Sequence, residues 1–221
     1  MAEPDHITST RRAYDHSASL YVEHLGTELS SRFETAFDQS MLDSFASDVR
    51  ASGGGAVLDV GCGPGRITAY LARRGLDMAG VDLSSAMIDA ARSAHPGLSF
   101  DIGTLDNLGV EDRSLAAAVY WYSIIHTPPD QLSHAWIELR RVLQPGGHAL
   151  IAFQSGPDEQ VARPDAYGSG ATLVRYHHAI DSVADTLEAA GLDVGSQRER
   201  APELDHETTP QAFIRCRRPQ D

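Results

Sequence analysis

The sequence predicts an α/β fold in which a parallel sheet is covered by helices. From residue 56 onward, apolar runs of strand length alternate with segments whose apolar residues recur every three or four positions. The first apolar run, residues 56–60, leads directly into three closely spaced glycines. Such alternation is typical of parallel sheets, because two parallel strands need a crossover connection and a helix usually supplies it.

The composition predicts one domain without a nucleic-acid or membrane partner. A length of 221 residues with 42% hydrophobic content suffices for one α/β core. The formal net charge of −13 disfavours nucleic acid and anionic membranes, because both select basic surfaces. No uninterrupted apolar stretch reaches the length of a membrane span, and residues 1–10 lack the pattern of a signal peptide. We therefore expect a cytoplasmic protein.

Residue types that carry covalent or metal chemistry are scarce. All 18 cationic residues are arginine, which excludes enzymes that form a lysine Schiff base and P-loops that need a lysine. The two cysteines, Cys62 and Cys216, form neither a metal-ligand spacing nor a disulfide framework, and the ten histidines are scattered. We therefore expect no metal site.

The first fifty residues predict a helical cap that precedes the α/β core. Apolar residues recur at helical spacing over residues 7–24 and 29–50, and glycines at 53–55 then interrupt the chain. We expect residues 1–52 to form this cap within a single domain of residues 1–221. Tyr14 and Tyr21 lie near one face of the first helix, where they either pack together or contact a ligand.

The elements of the core follow in order from the apolar pattern. Ser84 is an expected helix N-cap, and Gly191 an expected helix end. The last two strands can pair antiparallel. Strands are predicted at residues 56–60, 77–81, 98–102, 115–121, 149–154, 192–198 and 211–217, and helices at residues 66–75, 84–95, 129–143 and 177–190.

Residues 155–171 form the one long stretch without clear periodicity. Loops of this length over such sheets are often lids or specificity loops, and a disordered segment is the alternative. We expect a substrate loop here, between a core of residues 55–155 and a C-terminal helix and strand pair at residues 172–221.

The turn after the first core strand has the pattern of a nucleotide-binding loop. Residues 59–65 read D-x-G-x-G-x-G at the end of a buried strand and ahead of a helix. A dinucleotide fingerprint would need G-x-G-x-x-G, but Arg66 occupies the position of its last glycine. Asp82 follows the second strand, where an acidic side chain can accept hydrogen bonds from both ribose hydroxyls.

This loop resembles motif I of class I S-adenosylmethionine (SAM)-dependent methyltransferases. Residues 141–147 are similar to the R-V-L-x-P-G-G turn before the fifth strand in that family, and residues 120–129 resemble a W-Y-S-x-I-H signature of bacterial small-molecule methyltransferases. The resemblance covers residues 55–155. It implies a Rossmann-like, seven-stranded, mostly parallel sheet with one antiparallel strand, helices on both faces, and SAM as the cofactor.

The resemblance also implies which residues contact the cofactor. Many relatives have Asp directly after the glycine that ends the third strand, whereas this chain has Thr104, so we expect backbone groups to contact the adenine there. By their positions in the family pattern, the expected cofactor contacts are Tyr21, Asp59, Gly61, Cys62, Gly63, Gly65, Asp82, Leu83, Met87, Gly103, Thr104, Leu105 and Tyr122.

His126 is the candidate catalytic residue. It follows the fourth strand at the carboxyl edge of the sheet, and the ordinary pKa of histidine suits a general base that deprotonates an acceptor. The alternative is a structural role beside the next helix. Of His177 and His178, at most one faces a cleft, because adjacent side chains point apart.

The sequence therefore predicts a SAM-dependent methyltransferase that acts on an oxygen, nitrogen or sulfur atom of a small-molecule acceptor. The acidic charge and the absence of an N-P-P-Y tetrapeptide disfavour nucleic-acid and glutamine substrates. Two other classes stay open. One is a SAM-binding module without turnover, and the other is an NAD-dependent oxidoreductase, which Arg66 and the lack of lysine disfavour. No sequence pattern determines the oligomeric state.

Overall fold

The computed structural model describes residues 4–220, which contain one large sheet and one hairpin. The strands are Ala56–Val60 (β1), Asp77–Asp82 (β2), Ser99–Ile102 (β3), Leu115–Trp121 (β4), Leu143–Gln154 (β5), Glu159–Arg163 (β6), Leu173–His177 (β7), Asp193–Arg200 (β8) and Gln211–Arg217 (β9). The large sheet has the order β3-β2-β1-β4-β5-β9-β8, and β6 pairs antiparallel with β7.

The sheet confirms the predicted α/β fold with a single reversed strand. β1 to β5 run parallel to one another, whereas β9 runs antiparallel to both β5 and β8. The predicted antiparallel pairing of the last two strands is therefore confirmed. The carboxyl ends of β1, β2 and β4 meet at one edge, where open α/β sheets bind ligands.

Six α-helices accompany the strands in the described part of the chain. The predicted N-cap at Ser84 is confirmed, because its Oγ accepts a hydrogen bond from the amide of Met87 over 3.2 Å. The helices are Asp5–Leu25 (α1), Ala36–Ala51 (α2), Arg66–Ala72 (α3), Ser85–Ala94 (α4), Leu132–Val142 (α5) and Ile180–Ala189 (α6). Short 3-10 turns occupy Ile124–His126, Pro129–Gln131 and Ala166–Gly168.

The two faces of the sheet carry separate apolar cores. All seven residues of β4 are buried, as a central strand covered on both faces requires. On one face, Trp136 and Leu139 of α5 pack with Leu187 of α6. On the other, Phe45 of α2 packs with Leu71 of α3. Burying each such side chain contributes roughly 1.5–3 kcal/mol, so these helices are held against the sheet by their apolar faces.

α1 packs beside the carboxyl edge of the sheet, against α4 and the hairpin. Nε of Arg11 donates to the carbonyl oxygen of Leu83 over 3.1 Å. Oγ of Ser84 donates to Oδ1 of Asp15 over 2.6 Å. These contacts place the tyrosines of α1 next to the glycine loop.

The helix expected at residues 29–50 begins only at Ala36. Thr35 and Asp38 form a capping box in which each side chain accepts a hydrogen bond from the backbone amide of the other residue. Residues 29–35 therefore form turns. The helix expected at 129–143 likewise opens with a 3-10 turn, and β5 starts at Leu143 rather than at residue 149.

The segment expected to be a loop at residues 155–171 contains β6 and part of the hairpin instead. No residue of β6 is buried, so it lacks the alternating apolar pattern that would have revealed a strand. β7 also takes the start of the segment expected to be a helix at 177–190, and α6 begins at Ile180. Among residues 4–220, no helix combines the length and the hydropathy that a membrane span requires.

Candidate active site

The glycine loop is held against β2 and against the segment that follows β4. The amides of Gly61 and Cys62 both donate to the carbonyl oxygen of Val81, over 2.8 and 3.0 Å. Gly61 has a φ of +73°, and a Cβ atom there would lie 2.3 Å from Cβ of Ser123. Glycine at this position therefore allows the loop to lie directly on that segment.

Gly63 and Asp82 form a polar edge in front of the loop. The amide of Gly63 donates to Oδ2 of Asp82, and the amide of Ser84 donates to Oδ1, both over 2.9 Å. Burial raises the pKa of Asp82 to about 6, although these N–H groups favour the ionised form. A Cβ atom at Gly63 would meet nothing within 4 Å. Each carboxylate oxygen keeps a lone pair that a ligand hydroxyl can use.

Asp59, Cys62 and Gly65 support the loop from behind. Asp59 is buried and accepts a hydrogen bond from Oγ1 of Thr68 over 2.6 Å, and its burial raises its pKa to about 7. Cys62 packs in an apolar cluster with Phe100. A Cβ atom at Gly65 would lie 2.9 Å from the ring of Phe100. These residues shape the loop and do not line the two cavities in front of it.

Two adjoining cavities lie at this edge of the sheet. The hairpin cavity, of about 290 Å³, is bounded by the glycine loop, α1 and the β6–β7 hairpin. The α5 cavity, of about 490 Å³, is bounded by the first turns of α1, the segment after β3, and α5. Both are lined by Leu83, Leu105, Ser123 and His126. One elongated ligand can therefore extend from one cavity into the other.

Several buried polar atoms of the hairpin cavity have no hydrogen-bond partner within the described residues. They are Nε1 of Trp121, Oγ of Ser123, Oε1 of Gln154 and Nε of Arg175. Tyr122, between the first two, has a φ of +57°, and its amide donates to the carbonyl oxygen of Ala152 over 2.8 Å. Buried polar groups are normally hydrogen-bonded, so these atoms are available to a bound polar molecule.

The segment after β3 presents backbone groups to the α5 cavity. Thr104 and Asn107 exchange two backbone hydrogen bonds, of 3.0 and 3.1 Å. Oγ1 of Thr104 donates to Oδ1 of Asp106 over 2.6 Å. A Cβ atom at Gly103 would lie 3.2 Å from the carbonyl oxygen of Asn107. The tight turn therefore occupies the Thr104 hydroxyl and leaves the side chain of Leu105 against both cavities.

His126 is buried, and both of its ring nitrogens contact groups of the chain itself. Nδ1 lies 2.6 Å from the carbonyl oxygen of Val174 and therefore carries the proton, while Nε2 accepts a hydrogen bond from the hydroxyl of Tyr14 over 2.7 Å. Burial lowers the pKa of His126 to about 4, with Arg175 and Arg163 adding to the effect. This geometry supports the structural interpretation of His126, because it links α1 to β7.

Three tyrosines form an aromatic wall in the hairpin cavity. The ring centroids of Tyr14 and Tyr21 lie 6.0 Å apart, and those of Tyr21 and Tyr167 lie 4.9 Å apart, both in edge-on geometry. Burial raises the pKa of Tyr14 well above its ordinary value, so the hydroxyl remains neutral. The α1 tyrosines thus both pack together and face the cavity.

Two buried ion-pair clusters lie at the wall of the hairpin cavity, which Glu34, Arg66 and Glu207 line, and neither cluster was predicted. The guanidinium of Arg66 donates to both oxygens of Glu34, over 2.8 and 2.7 Å. Arg200 donates to both oxygens of Asp38 and of Glu207. Asp38 lies 162 residues before Arg200, and Glu207 lies seven residues after it, so no local sequence pattern predicts this cluster.

The predicted site residues divide between the cavities and their support. Those that line a cavity are Tyr21, Gly61, Gly63, Asp82, Leu83, Met87, Thr104, Leu105, Tyr122 and His126. Those that do not line either cavity and instead support its walls are Asp59, Cys62, Gly65 and Gly103. Sequence reasoning missed the hairpin residues Arg163, Tyr167 and Arg175, which also line the hairpin cavity, because no periodicity revealed the hairpin.

His177 and His178 each contact another group of the chain. Nε2 of His178 lies 3.3 Å from the carbonyl oxygen of Ile124, and Nδ1 of His177 lies 3.2 Å from Oε1 of Glu159. Neither histidine lines the two cavities. Within residues 4–220, no three His, Cys, Asp or Glu side chains group in a way that could hold a metal ion.

Comparisons with known proteins agree on one family. A family model described as a methyltransferase domain matches residues 57–147. Methyltransferase GfsG of Streptomyces halstedii is 32% identical over 167 residues, which cover 71% of this chain and 59% of that protein. A ubiquinone biosynthesis O-methyltransferase of Alkalilimnicola ehrlichii is 26% identical over 162 residues, which cover 69% of this chain and 64% of the relative. The chain thus spans less than two thirds of the length of either relative.

Solved structures share the fold over nearly the whole chain. Magnesium protoporphyrin IX methyltransferase from Synechocystis PCC 6803, solved with bound SAM, superposes with a TM-score of 0.69. The match covers 99% of both chains at 18% sequence identity. At this level of identity the likeness concerns the fold.

Proposed function

The chain belongs to the class I S-adenosylmethionine-dependent methyltransferases, and from that premise we propose that it transfers the methyl group of SAM to a small-molecule acceptor. The observation that carries the proposal is the glycine loop beside Asp82, which opens onto the hairpin cavity, and the α5 cavity adjoins this space. The α5 cavity suits the adenine, and the hairpin cavity has room for the ribose, the methyl donor and the acceptor.

The residues at the loop fit the cofactor. Asp82 lies at the end of β2 with a free lone pair on each oxygen, and so can accept hydrogen bonds from both ribose hydroxyls. The bare backbone of Gly63 allows a ligand to lie against the loop. The unpartnered Oγ of Ser123 lies where the two cavities meet. Each of these features is polar and faces a space that the chain does not fill.

We assign the α5 cavity to the adenine and the hairpin cavity to the reacting groups. Leu105 and the backbone turn at Thr104 bound the α5 cavity, which has a threonine directly after Gly103 and the carboxylate of Asp106 two positions later. Trp121 and Tyr122 line the hairpin cavity, where aromatic faces favour a bound cation such as a sulfonium.

SAM, when bound, supplies an electrophilic methyl group on a good leaving group. The chain's own contribution is then mainly to hold the acceptor in line, which can lower the barrier by roughly 7–11 kcal/mol. The walls of the hairpin cavity are suited to this role, because Tyr14 and Tyr21 are fixed by mutual packing and by the hydrogen bond to His126. His126 itself has no free nitrogen with which to take a proton from the acceptor.

A binding module without turnover is a weaker interpretation. Such a module would need the α5 cavity and the glycine loop alone. The hairpin cavity extends from Asp82 and Gly63 to Tyr167 and Arg175 of the hairpin, which is more space than the ribose needs, and this part suits an acceptor.

Calorimetric titration of the purified protein with SAM, S-adenosylhomocysteine and NAD tests the proposal. We expect SAM and S-adenosylhomocysteine to bind and NAD to give no binding heat. Asp82→Ala should weaken SAM binding by about 1–3 kcal/mol, the range for lost charge-assisted hydrogen bonds. Asp89→Ala, an exposed aspartate on α4, is the matched control and should bind SAM like the wild type. Equal affinities of the two variants would contradict the site.

A further inference from the structure

Two arginines of the β6–β7 hairpin face the hairpin cavity. Arg163 pairs across the hairpin with Leu173, and Arg175 pairs with Val161. Since directly paired residues share a face and neighbours two positions away share it too, both arginines lie on the same face of the hairpin. Both line the hairpin cavity.

Neither guanidinium is neutralised by the described part of the chain. No ion pair joins Arg163 or Arg175 to a carboxylate within residues 4–220, and Nε of Arg175 is buried without a hydrogen-bond partner. The contact of Arg163 is with an aromatic ring, since its Cζ lies 4.8 Å from the ring centroid of Tyr167. Burial lowers the pKa of Arg175, and the charge of Arg163 lowers it further.

The other arginines of this region show the opposite arrangement. Arg66, which also lines the hairpin cavity, donates to both oxygens of Glu34. Arg200 behind the cavity is held by Asp38 and Glu207. In a chain with a net charge of −13, the buried Arg66 and Arg200 are thus paired with carboxylates, whereas the half-buried Arg163 and Arg175 lie without one in a cavity. A charge that is partly removed from water is stabilised by a counter-charge, so this pair is suited to an anion that is not part of the chain.

We propose that Arg163 and Arg175 bind an oxyanion, a carboxylate or phosphate group, of the methyl acceptor. The proposal rests on the methyltransferase activity proposed above and specifies its substrate class. The planar guanidinium fork matches both kinds of oxyanion through paired N–H donors. Around the pair, the rings of Tyr14, Tyr21 and Tyr167 provide flat apolar surfaces. The acceptor is therefore an acid with a flat, apolar body.

Calorimetry with the protein saturated by S-adenosylhomocysteine tests this class. The probes are 4-hydroxybenzoate and phenyl phosphate, with 4-hydroxybenzamide as the neutral match for the first. We expect at least one of the two acids to bind about tenfold or more tightly than the amide, as hydrogen bonds to a charged group imply. Equal binding of acids and amide, or no binding of either acid, would overturn the proposal.

Substitutions test whether the two hairpin arginines cause the tighter binding of the acid. Arg163→Gln and Arg175→Gln should each reduce the affinity for the preferred acid about tenfold and leave the amide unchanged, whereas Arg175→Lys should keep part of the preference. The control is Arg198→Gln, which removes the same charge from an exposed position on β8. Thermal unfolding with S-adenosylhomocysteine confirms that each variant is folded. An acid preference that survives both glutamine substitutions would exclude the arginines.

The same oxyanion chemistry also occurs in the cofactor, whose amino-acid end carries a carboxylate. Affinities for S-adenosylhomocysteine and for 5′-methylthioadenosine, which lacks that end, show whether the arginines bind the cofactor carboxylate or an oxyanion of the acceptor. If the arginines bind the acceptor, Arg175→Gln changes neither affinity. A loss for S-adenosylhomocysteine alone would assign the pair to the cofactor and overturn the proposal. Failure of the wild type to bind either nucleoside would instead refute the proposed function itself.

Discussion

The two sides of the cavity region are held in place by different means. On the loop side, backbone amides are the donors: those of Gly61 and Cys62 donate to the carbonyl oxygen of Val81, and that of Gly63 donates to the carboxylate of Asp82. On the wall side, formed by α1, the hairpin and residues 201–210, side chains make the decisive contacts, such as Tyr14 with His126. Backbone contacts depend little on residue identity, whereas side-chain contacts change with every substitution. A shared cofactor with a variable acceptor suits this division.

Replacing Arg200 is the strongest test of the wall side. Arg200→Met removes the cation between Asp38 and Glu207 and leaves two buried carboxylates without their partner. Breaking a buried pair in this way costs about 3–5 kcal/mol of unfolding free energy. Urea denaturation measures the loss, and Arg198→Met at an exposed position of the same strand should cost little. A loss below about 1 kcal/mol would mean that side chains do not hold this side.

Alanine substitutions test whether Gly61 and Gly63 have different roles in the loop. Gly61→Ala places a Cβ 2.3 Å from Ser123 at a φ of +73°, and we expect a loss of about 2–4 kcal/mol of stability. Gly63→Ala also places alanine at a positive φ, of +51°, but its Cβ projects into open space, so it should cost less stability than Gly61→Ala while weakening SAM binding. Denaturation and calorimetry on both variants give the contrast, with Gly97→Ala as an unstrained control. Equal stability losses at 61 and 63 would remove the steric argument.

Ionisation of Asp59, which lies beneath the glycine loop, should make the free energy of unfolding depend on pH. Burial raises its folded-state pKa to about 7, above the ordinary value of 3.8. The folded chain therefore holds this proton while the unfolded chain releases it, and unfolding free energy falls as pH rises from about 4 to 7. Asp59→Asn cannot ionise and should be more stable than the wild type by about 1–3 kcal/mol at pH 8.

The measurement for Asp59 is the difference between the two proteins across pH. Asp82, with a pKa of about 6, acts in the same direction, and His126, with a pKa of about 4, acts in the opposite one. Both remain in the variant, so the difference reports Asp59 together with its electrostatic coupling to Asp82. The two stability profiles should converge below pH 4. Parallel profiles from pH 4 to 8 would show that Asp59 is ionised throughout.

His126 gives the smallest expected effect and tests whether the wall side takes part in proton transfer. His126→Gln and Tyr14→Phe each remove the hydrogen bond between these side chains, and each should cost about 1 kcal/mol. The double variant should cost less than the sum of the two. SAM affinity should not change. A pH profile of turnover that loses a limb only in His126→Gln would restore His126 as a general base.

Much of the sheet could be predicted because its signals are local. The bounds of β1, β4 and β9 agree with the prediction, since buried apolar runs of that length are readable in a single chain. The hairpin could not be predicted in the same way, because its strands make few apolar contacts and depend on α1 and His126 for their position. The late start of α2 is also set by side-chain contacts, since the capping box of Thr35 and Asp38 determines where that helix begins.

The sequence by itself determined the α/β class, the cofactor loop and the position of Asp82, because a strand, its glycine turn and the next strand end are encoded within about thirty residues. Only the tertiary structure decided the neutral, fully bonded state of His126 and the unpaired state of Arg163 and Arg175. These depend on which distant groups approach each side chain and on how much water they exclude. Periodicity records which face of an element is buried, but it does not record which partners meet there.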